Sequence, residues 1–231
     1  MKKISLAIEG SDGAGKETQS RLLKESLQAK GFSVASVSFP RYKETTGGWV
    51  LYEALKGDDA AKYKFAKLDP YAASLPYTMD RRESREYLEG LIAEHDIVIF
   101  DRYVESNLLH QGGKIRTSEE RERYSKWLYD LEYGTMGLPR PAFVLYLKIP
   151  FWLSRARAQK RSDEGGSKLD AVESDSEYVR MGHEGGIFYA EHFGWEVVEC
   201  LHEKHELSRD EVHVKVLEHI RPHFQAKGIE I

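Results

Sequence analysis

A glycine-rich segment near the N-terminus, Gly10-Ser11-Asp12-Gly13-Ala14-Gly15-Lys16-Glu17-Thr18, narrows the possible folds more than any other feature of the chain. A short apolar run of strand type, residues 4–8, precedes it, and a helical pattern over 16–30 follows and stops at Gly31. Strand, glycine turn and helix in that order are the context of a phosphate-binding loop. Glycines let backbone N–H groups converge on an anion, the helix N-terminus adds positive potential, and Lys16 reaches the terminal phosphates. The motif asks for Ser or Thr directly after the lysine, whereas here Glu17 stands there and Thr18 follows. A carboxylate is compatible with a helix N-terminus if it points away from the phosphates, but the usual hydroxyl contact to magnesium is then open. The competing reading is a glycine turn with an exposed lysine.

Four more strand-type runs, residues 32–39, 97–100, 143–149 and 196–200, alternate with helical patterns. Thr117 with Glu120, and Ser208 with Glu211, have capping-box spacing ahead of apolar stripes; the first stripe runs from Tyr124 to Leu131 and ends at Gly134. Such alternation predicts an α/β domain, a parallel sheet covered on both faces, spanning residues 1–231. Ligands of that architecture sit at the carboxyl ends of the strands. With 34 Lys+Arg against 38 Asp+Glu, the net charge of −4 argues against a broad nucleic-acid or anionic-membrane surface. Cys200 is the only cysteine, which excludes an intrachain disulfide and suits a reducing cytosol. The N-terminal apolar run meets an acid and glycines too early for a signal segment, and no stretch approaches a membrane span.

The later strand ends supply polar groups of one kind. Phe39-Pro40-Arg41-Tyr42 combines rings, a rigid proline and a guanidinium, which suits an entry holding a base and a phosphate, or equally a polar turn with its ring in the core. Tyr77 and Arg81, four apart on a helix, share a face where a ring can stack on a base beside an arginine at its edge. Taken alone the pair reads as surface decoration. Asp101 closes a buried strand, where Mg²⁺ is held, and Arg102 beside it can clamp a phosphate; the alternative is a structural ion pair. Ser106, Asn107, His110 and Gln111 then face one site from a helix start.

The string GSDGAGKETQ resembles the nucleotide loop of thymidylate kinases, G-x-D-G-x-G-K-x-T-Q, and its GKETQ is also similar to the GKGTQ of adenylate kinases. FPRY, Tyr77 to Arg81, DRY with Ser106-Asn107, Leu138-Pro-Arg-Pro141 and a charged loop with Asp170 and Glu173 follow in the thymidylate kinase order. The resemblance implies a P-loop nucleoside monophosphate kinase fold of three layers with a short lid, about residues 155–176. It implies a cytoplasmic homodimer that uses ATP and Mg²⁺ to phosphorylate dTMP. It places Asp12 at the deoxyribose 3′-hydroxyl, Tyr77 on thymine, Arg81 at the base edge, Arg102 on the acceptor phosphate and Asn107 facing the base. Asp12, Asp101 and Glu173 are the magnesium candidates. His110 stands where the family carries Tyr or Phe against a ribose 2′-hydroxyl.

Arg155, Arg157, Lys160 and Arg161 precede a charged, glycine-containing stretch that reads as a mobile loop, residues 161–176. Cations on a closing lid neutralise phosphoryl oxygens and exclude water. Family members with glycine at the position of Gly13 carry their catalytic arginines there, which singles out Arg157 and Arg161; a solvated basic helix end is the plainer account. Cys200, His202 and His205 imitate a metal cluster but lack convergent ligands with orienting partners. Two rivals stay open: a kinase for dUMP, another monophosphate or a nucleoside, and a non-catalytic nucleotide-binding protein. Replacing Lys16 by alanine should leave the circular dichroism spectrum unchanged and cut phosphoryl transfer by about 10²–10³, as expected for one preorganised donor. Near-normal turnover in the folded variant would remove the kinase reading.

Overall fold

The protein is described by a computed structural model, which covers residues 3–164, 169–203 and 205–231. Five parallel strands form the main sheet: β1 (Ile4–Gly10), β2 (Val34–Ser38), β3 (Ile97–Asp101), β4 (Phe143–Lys148) and β5 (Glu196–Glu199), in the order β2-β3-β1-β4-β5. Their residues are apolar almost without interruption because both faces are covered. Alternate side chains separate the two cores. Leu6, Ile8, Ile99, Leu145 and Leu147 pack with α1 (Lys16–Ala29) and α10 (Arg209–Ala226). Ala7, Val98, Phe100 and Val144 pack with Leu88 of α5 (Arg85–Glu94), Leu108 of α6 (Glu105–His110), Leu128 of α7 (Ser118–Tyr129) and Tyr189 of α9 (Ser176–Phe193). The register sets Ile8 beside Asp101, Ser38 beside Asp101 and Gly10 beside Leu147. The phosphate loop, the Phe39 turn and the Arg102 turn therefore leave the sheet at one edge.

The capping signals hold to different degrees. Ser208 and Glu211 form the reciprocal box that starts α10, whereas at α7 Thr117 accepts the Glu120 N–H at 3.3 Å, one half of the expected box. The stripe expected to run to Leu131 is broken: α7 stops at Tyr129, and Asp130–Thr135 continue as a π-helix. That wider turn shifts the 3.6-residue register, and Glu132 is fully buried within it. The imitation of a metal site resolves into a small hairpin, β6 (Leu201–His202) paired with β7 (His205–Glu206), with Cys200 buried at its base. Lys204 lies outside the described residues. Among the described residues no three His, Cys, Asp or Glu side chains come together to hold a metal.

The wall beside the strand edge is built by α2 (Thr46–Leu55) lying against α4 (Pro70–Glu83). They touch through glycine: a Cβ on Gly47 would stand 2.2 Å from the Asp80 backbone nitrogen. Gly47→Ala must push the helices apart, costing about 1–3 kcal/mol as overpacking does. Because α4 carries Tyr77 and Arg81, the variant should show a lower urea midpoint together with weaker nucleotide binding. An unchanged midpoint would mean that the two helices part freely.

Candidate active site

The phosphate loop is held from within and from one side. Lys16 Nζ donates to the carbonyls of Gly10 (2.8 Å) and Ser11 (2.9 Å) and lies 3.9 Å from Asp12. Burial, aided by the Arg102 charge, pushes Lys16 down to about 8 against the opposing pull of Asp12. Helix α1 starts on Gly15 in the left-handed region, so no side chain covers its first N–H groups. Glu17 is exposed, its charge adding to what raises Asp101, and Thr18 is half-buried. Gly13 has φ of 80°, and a Cβ there would meet the Ser154 carbonyl at 2.8 Å. That residue belongs to α8 (Phe151–Asp163), which is stitched to the loop: Ser154 Oγ donates to the Asp12 carbonyl (2.5 Å) and Arg157 Nη1 to the Gly13 carbonyl (3.0 Å). Arg157 is steadied by the Glu206 carboxylate at 2.6 and 3.0 Å.

In front of the loop opens a cavity of about 340 Å³. At its inner end the Arg102 guanidinium grips the Asp12 carboxylate. Burial alone would raise Asp12, but Arg102 and Lys16 overcome it and hold the carboxyl far below its usual range. Asp101, raised by burial, lies behind this pair with Arg102 and Lys16 pulling the other way. Phe39 and Pro40, joined by a cis peptide bond, form one wall together with Tyr42. Tyr77, Arg81, Ser106, Asn107 and His110 line it as well. Tyr77 is set by edge-on packing against Phe65 at 6.0 Å. Arg81 reaches the cavity but is fully buried, with Nε and Nη2 on Glu132 (3.0 and 2.5 Å) and Nη1 on the Tyr103 carbonyl (3.3 Å). Glu132 also accepts from Thr78 Oγ1 at 2.7 Å. All three guanidinium nitrogens are thus bonded to protein, while the residue still borders the cavity.

Two expected residues lie outside the lining. Arg41 lays its guanidinium on the Tyr87 ring (4.3 Å) and bonds Ser84 (2.9 Å) and Glu44, while its backbone N–H meets Asp80. Gln111 is buried behind the wall and donates Nε2 to Tyr178 Oη at 3.0 Å. Tyr178 itself lines the cavity, its ring parallel to that of His110 at 6.0 Å. Neither nitrogen of His110 has a hydrogen bond among the described residues, and burial drives the imidazole down to about 4 although Asp12 pulls upward.

Over the cavity lies the charged loop. Residues 165–168, central to the lid expectation, lie outside the described residues. The part that follows is anchored rather than free: Ala171 N–H donates to the Leu55 carbonyl (3.0 Å), and Val172 packs with Leu51, Leu55 and Tyr178. Arg161 pairs with Glu173 at 2.8 Å, and Arg155 donates to the Glu173 carbonyl at 2.6 Å. Asp170, raised to about 6 by burial, accepts the N–H groups of Val172 and Glu173. Sequence reasoning missed Glu9, Glu132, Ser154, Tyr178 and Glu206. Only Glu9 carried a signal, as a lone charge in an otherwise uncharged buried strand.

Comparisons with known proteins point to one family. The thymidylate kinase family model matches residues 8–206. The thymidylate kinase of Mycobacterium tuberculosis is 32% identical over 189 residues, covering 80% of this chain and 84% of its own. A probable thymidylate kinase of Thermococcus onnurineus is 32% identical over 159 residues, 68% of this chain and 72% of its own. Among solved structures, the thymidylate kinase of Candida albicans superposes with a TM-score of 0.70 at 18% identity, over 96% of this chain and 92% of that one. That of Ehrlichia chaffeensis gives 0.62 at 20%, over 94% and 98%. At those identities the structures attest to the shared fold alone.

A buried, neutral His110 has a consequence for stability. Its folded pKa lies below the unfolded value near 6.5, so its contribution is complete above pH 6.5 and is lost as pH falls toward 4. His110→Tyr, which cannot take up that proton, should lose less of its melting temperature between pH 7 and 4.5 than the parent does. Parallel melting curves across that interval would show that His110 titrates freely.

Proposed function

This chain belongs to the thymidylate kinase family, and from that premise we propose how its residues carry the reaction. The protein is a phosphotransferase that moves the γ-phosphoryl group of ATP to dTMP, yielding dTDP and ADP. The family match sets aside the nucleoside-kinase and non-catalytic readings. The observation that carries the assignment of roles is the Asp12–Arg102 pair, which stands where the cavity meets the phosphate loop. Donor phosphates occupy the N–H groups from Gly10 to Thr18, with Lys16 leaving the loop carbonyls to meet them. The acceptor lies in the cavity: its phosphate on Arg102, its sugar beside Asp12 and His110, and its base between Phe39 and Tyr77 with Arg81 at the edge. A monophosphate is already an anion, so no general base is required. Catalysis is positioning and charge neutralisation by Lys16, Arg102, Arg157 and Arg161. Arg157, already on the Gly13 carbonyl, needs only to exchange Glu206 for a phosphoryl oxygen.

The donor set fits magnesium. Asp12, Asp101 and Glu173 offer hard oxygens around the crevice, and Mg²⁺ is bound by one or two carboxylates plus phosphates and water rather than by a closed protein cage. When bound, the ion neutralises charge on the β- and γ-oxygens. Homodimerisation is supported by an exposed apolar face on paired helices: Trp49 and Val50 on α2 are 49% and 45% exposed, Leu75 and Met79 on α4 51% and 46%. The reading also takes the chain as one domain with its lid at 155–176, working in the cytoplasm, with nucleotides as its ligands. Among the described residues no helix is long and apolar enough to cross a membrane.

ADP release measured with dTMP, dUMP, dCMP and thymidine tests the reading. dTMP should give the highest kcat/KM, and thymidine, lacking the phosphate for Arg102, should give none. Fastest release with thymidine would overturn the assignment of the acceptor site. In the same assay Arg81→Lys, which keeps a charge beside Glu132 but loses the planar fork, should lower kcat/KM for dTMP about 10-fold or more while sparing dCMP. Equal losses across bases would show that Arg81 does not read the base.

A further inference from the structure

Glu9 is the only charged residue in β1 and is fully buried. It does not line the cavity. Both of its oxygens are committed to the turn that leaves β3: Oε1 accepts the Tyr103 N–H at 2.7 Å, and Oε2 accepts from Ser106 Oγ at 2.7 Å. Arg102, directly before Tyr103, has φ of 62°, a conformation that a residue with a Cβ adopts only when its surroundings impose it. Its N–H donates to the Ile8 carbonyl at 3.1 Å. Two adjacent residues of β1 therefore hold the same turn, one by its backbone and one by its carboxylate. The side chain released by that conformation is the guanidinium that meets Asp12 at the head of the cavity.

We propose that Glu9 is a positioning residue for the acceptor phosphate: its carboxylate clamps Tyr103 and Ser106 and thereby fixes the left-handed turn that aims Arg102. This rests on the reading above that Arg102 binds that phosphate. Ser106, expected from sequence to face the substrate, then acts through the clamp as well as lining the wall. The surrounding charges make a simple cavity-filling role for Glu9 a poor alternative. Arg102 and Lys16 lie on one side, the buried Glu105 on another, and burial raises Glu9 to about 7 despite its two hydrogen bonds and Arg102. An apolar side chain there would avoid that cost, yet could hold neither the N–H nor the hydroxyl. Glutamine can hold both, accepting from Tyr103 through its oxygen and donating to Ser106 through its amide.

The experiment is calorimetric titration of dTMP and of thymidine into the parent, Glu9→Ala, Glu9→Gln, Arg102→Ala and the Glu9→Ala/Arg102→Ala double variant. Glu9→Ala should weaken dTMP about tenfold, the scale of one charged hydrogen bond, and leave thymidine within about twofold. Glu9→Gln should restore dTMP to near the parent value. In the Arg102→Ala background, Glu9→Ala should add little, because the group it aims is gone. Equal weakening of dTMP and thymidine, or full additivity with Arg102→Ala, overturns the proposal in favour of a general structural role. If Arg102→Ala itself fails to separate dTMP from thymidine, the phosphate reading fails first and takes the inference with it. Should Glu9→Ala not fold, Glu9→Asp withdraws the carboxylate from the turn by one methylene and should show the same selective loss for dTMP at smaller amplitude; equal losses there are equally fatal.

Discussion

Three charges gathered at one point, Lys16 buried and Asp12 and Arg102 half-buried beside it, impose conditions that the rest of the molecule meets. Each alone would be costly to remove from water, and the set is tolerable because opposite signs touch and the surplus cations face a cavity open to anions. Such a cluster needs backbones that arrive from separate strands and end at the same height. Parallel pairing of β1 with β3 and β4 supplies this, since the register puts Ile8 level with Asp101 and Gly10 level with Leu147. It also needs the loop to be rigid on its far side, which is why Gly13 lies under Ser154 and Arg157 with no room for a side chain.

The parts legible in the sequence were those set by local rules. The phosphate loop, five strand runs and the box at Ser208 follow from spacing, turn chemistry and periodicity, whereas the later motifs gained meaning from their order through a family resemblance. The residues that organise the site from behind obey tertiary rules. Glu132 is brought to Arg81 by a π-turn that no 3.6-residue count foresees. Arg41 occupies the right turn, yet its flexible side chain finds an aromatic ring and a hydroxyl on α4 and α5 instead of the cavity. Gln111 sits one position beyond His110, and on a helix that step of about 100° is enough to turn it from wall to backing. Tyr178 arrives from an element far along the chain, so only packing reveals that its ring takes the place beside His110.

The lid shows a second division of labour. Arg157 and Arg161, expected on one helix face ahead of the glycine-containing loop, are each already engaged, one with Glu206 of the hairpin and the other with Glu173. Partly exposed pairs of this kind are weak and exchange readily. They keep the arginines oriented without committing them, and a phosphoryl group carrying more charge than a single carboxylate can displace either partner.

The posture of Lys16 reaches beyond geometry. Folded over its own loop, with burial and the Arg102 charge outweighing Asp12, Asp101 and Glu9, the ammonium is pushed down to about 8. A triphosphate arriving at that point favours the charged form and raises its affinity for protons. If donor phosphates bind at the loop as proposed, their binding is coupled to proton uptake there, and the heat released on mixing depends on which buffer surrenders the proton. A kinase that grips its nucleotide with a desolvated lysine is, in that respect, a proton-linked receptor before it is a catalyst.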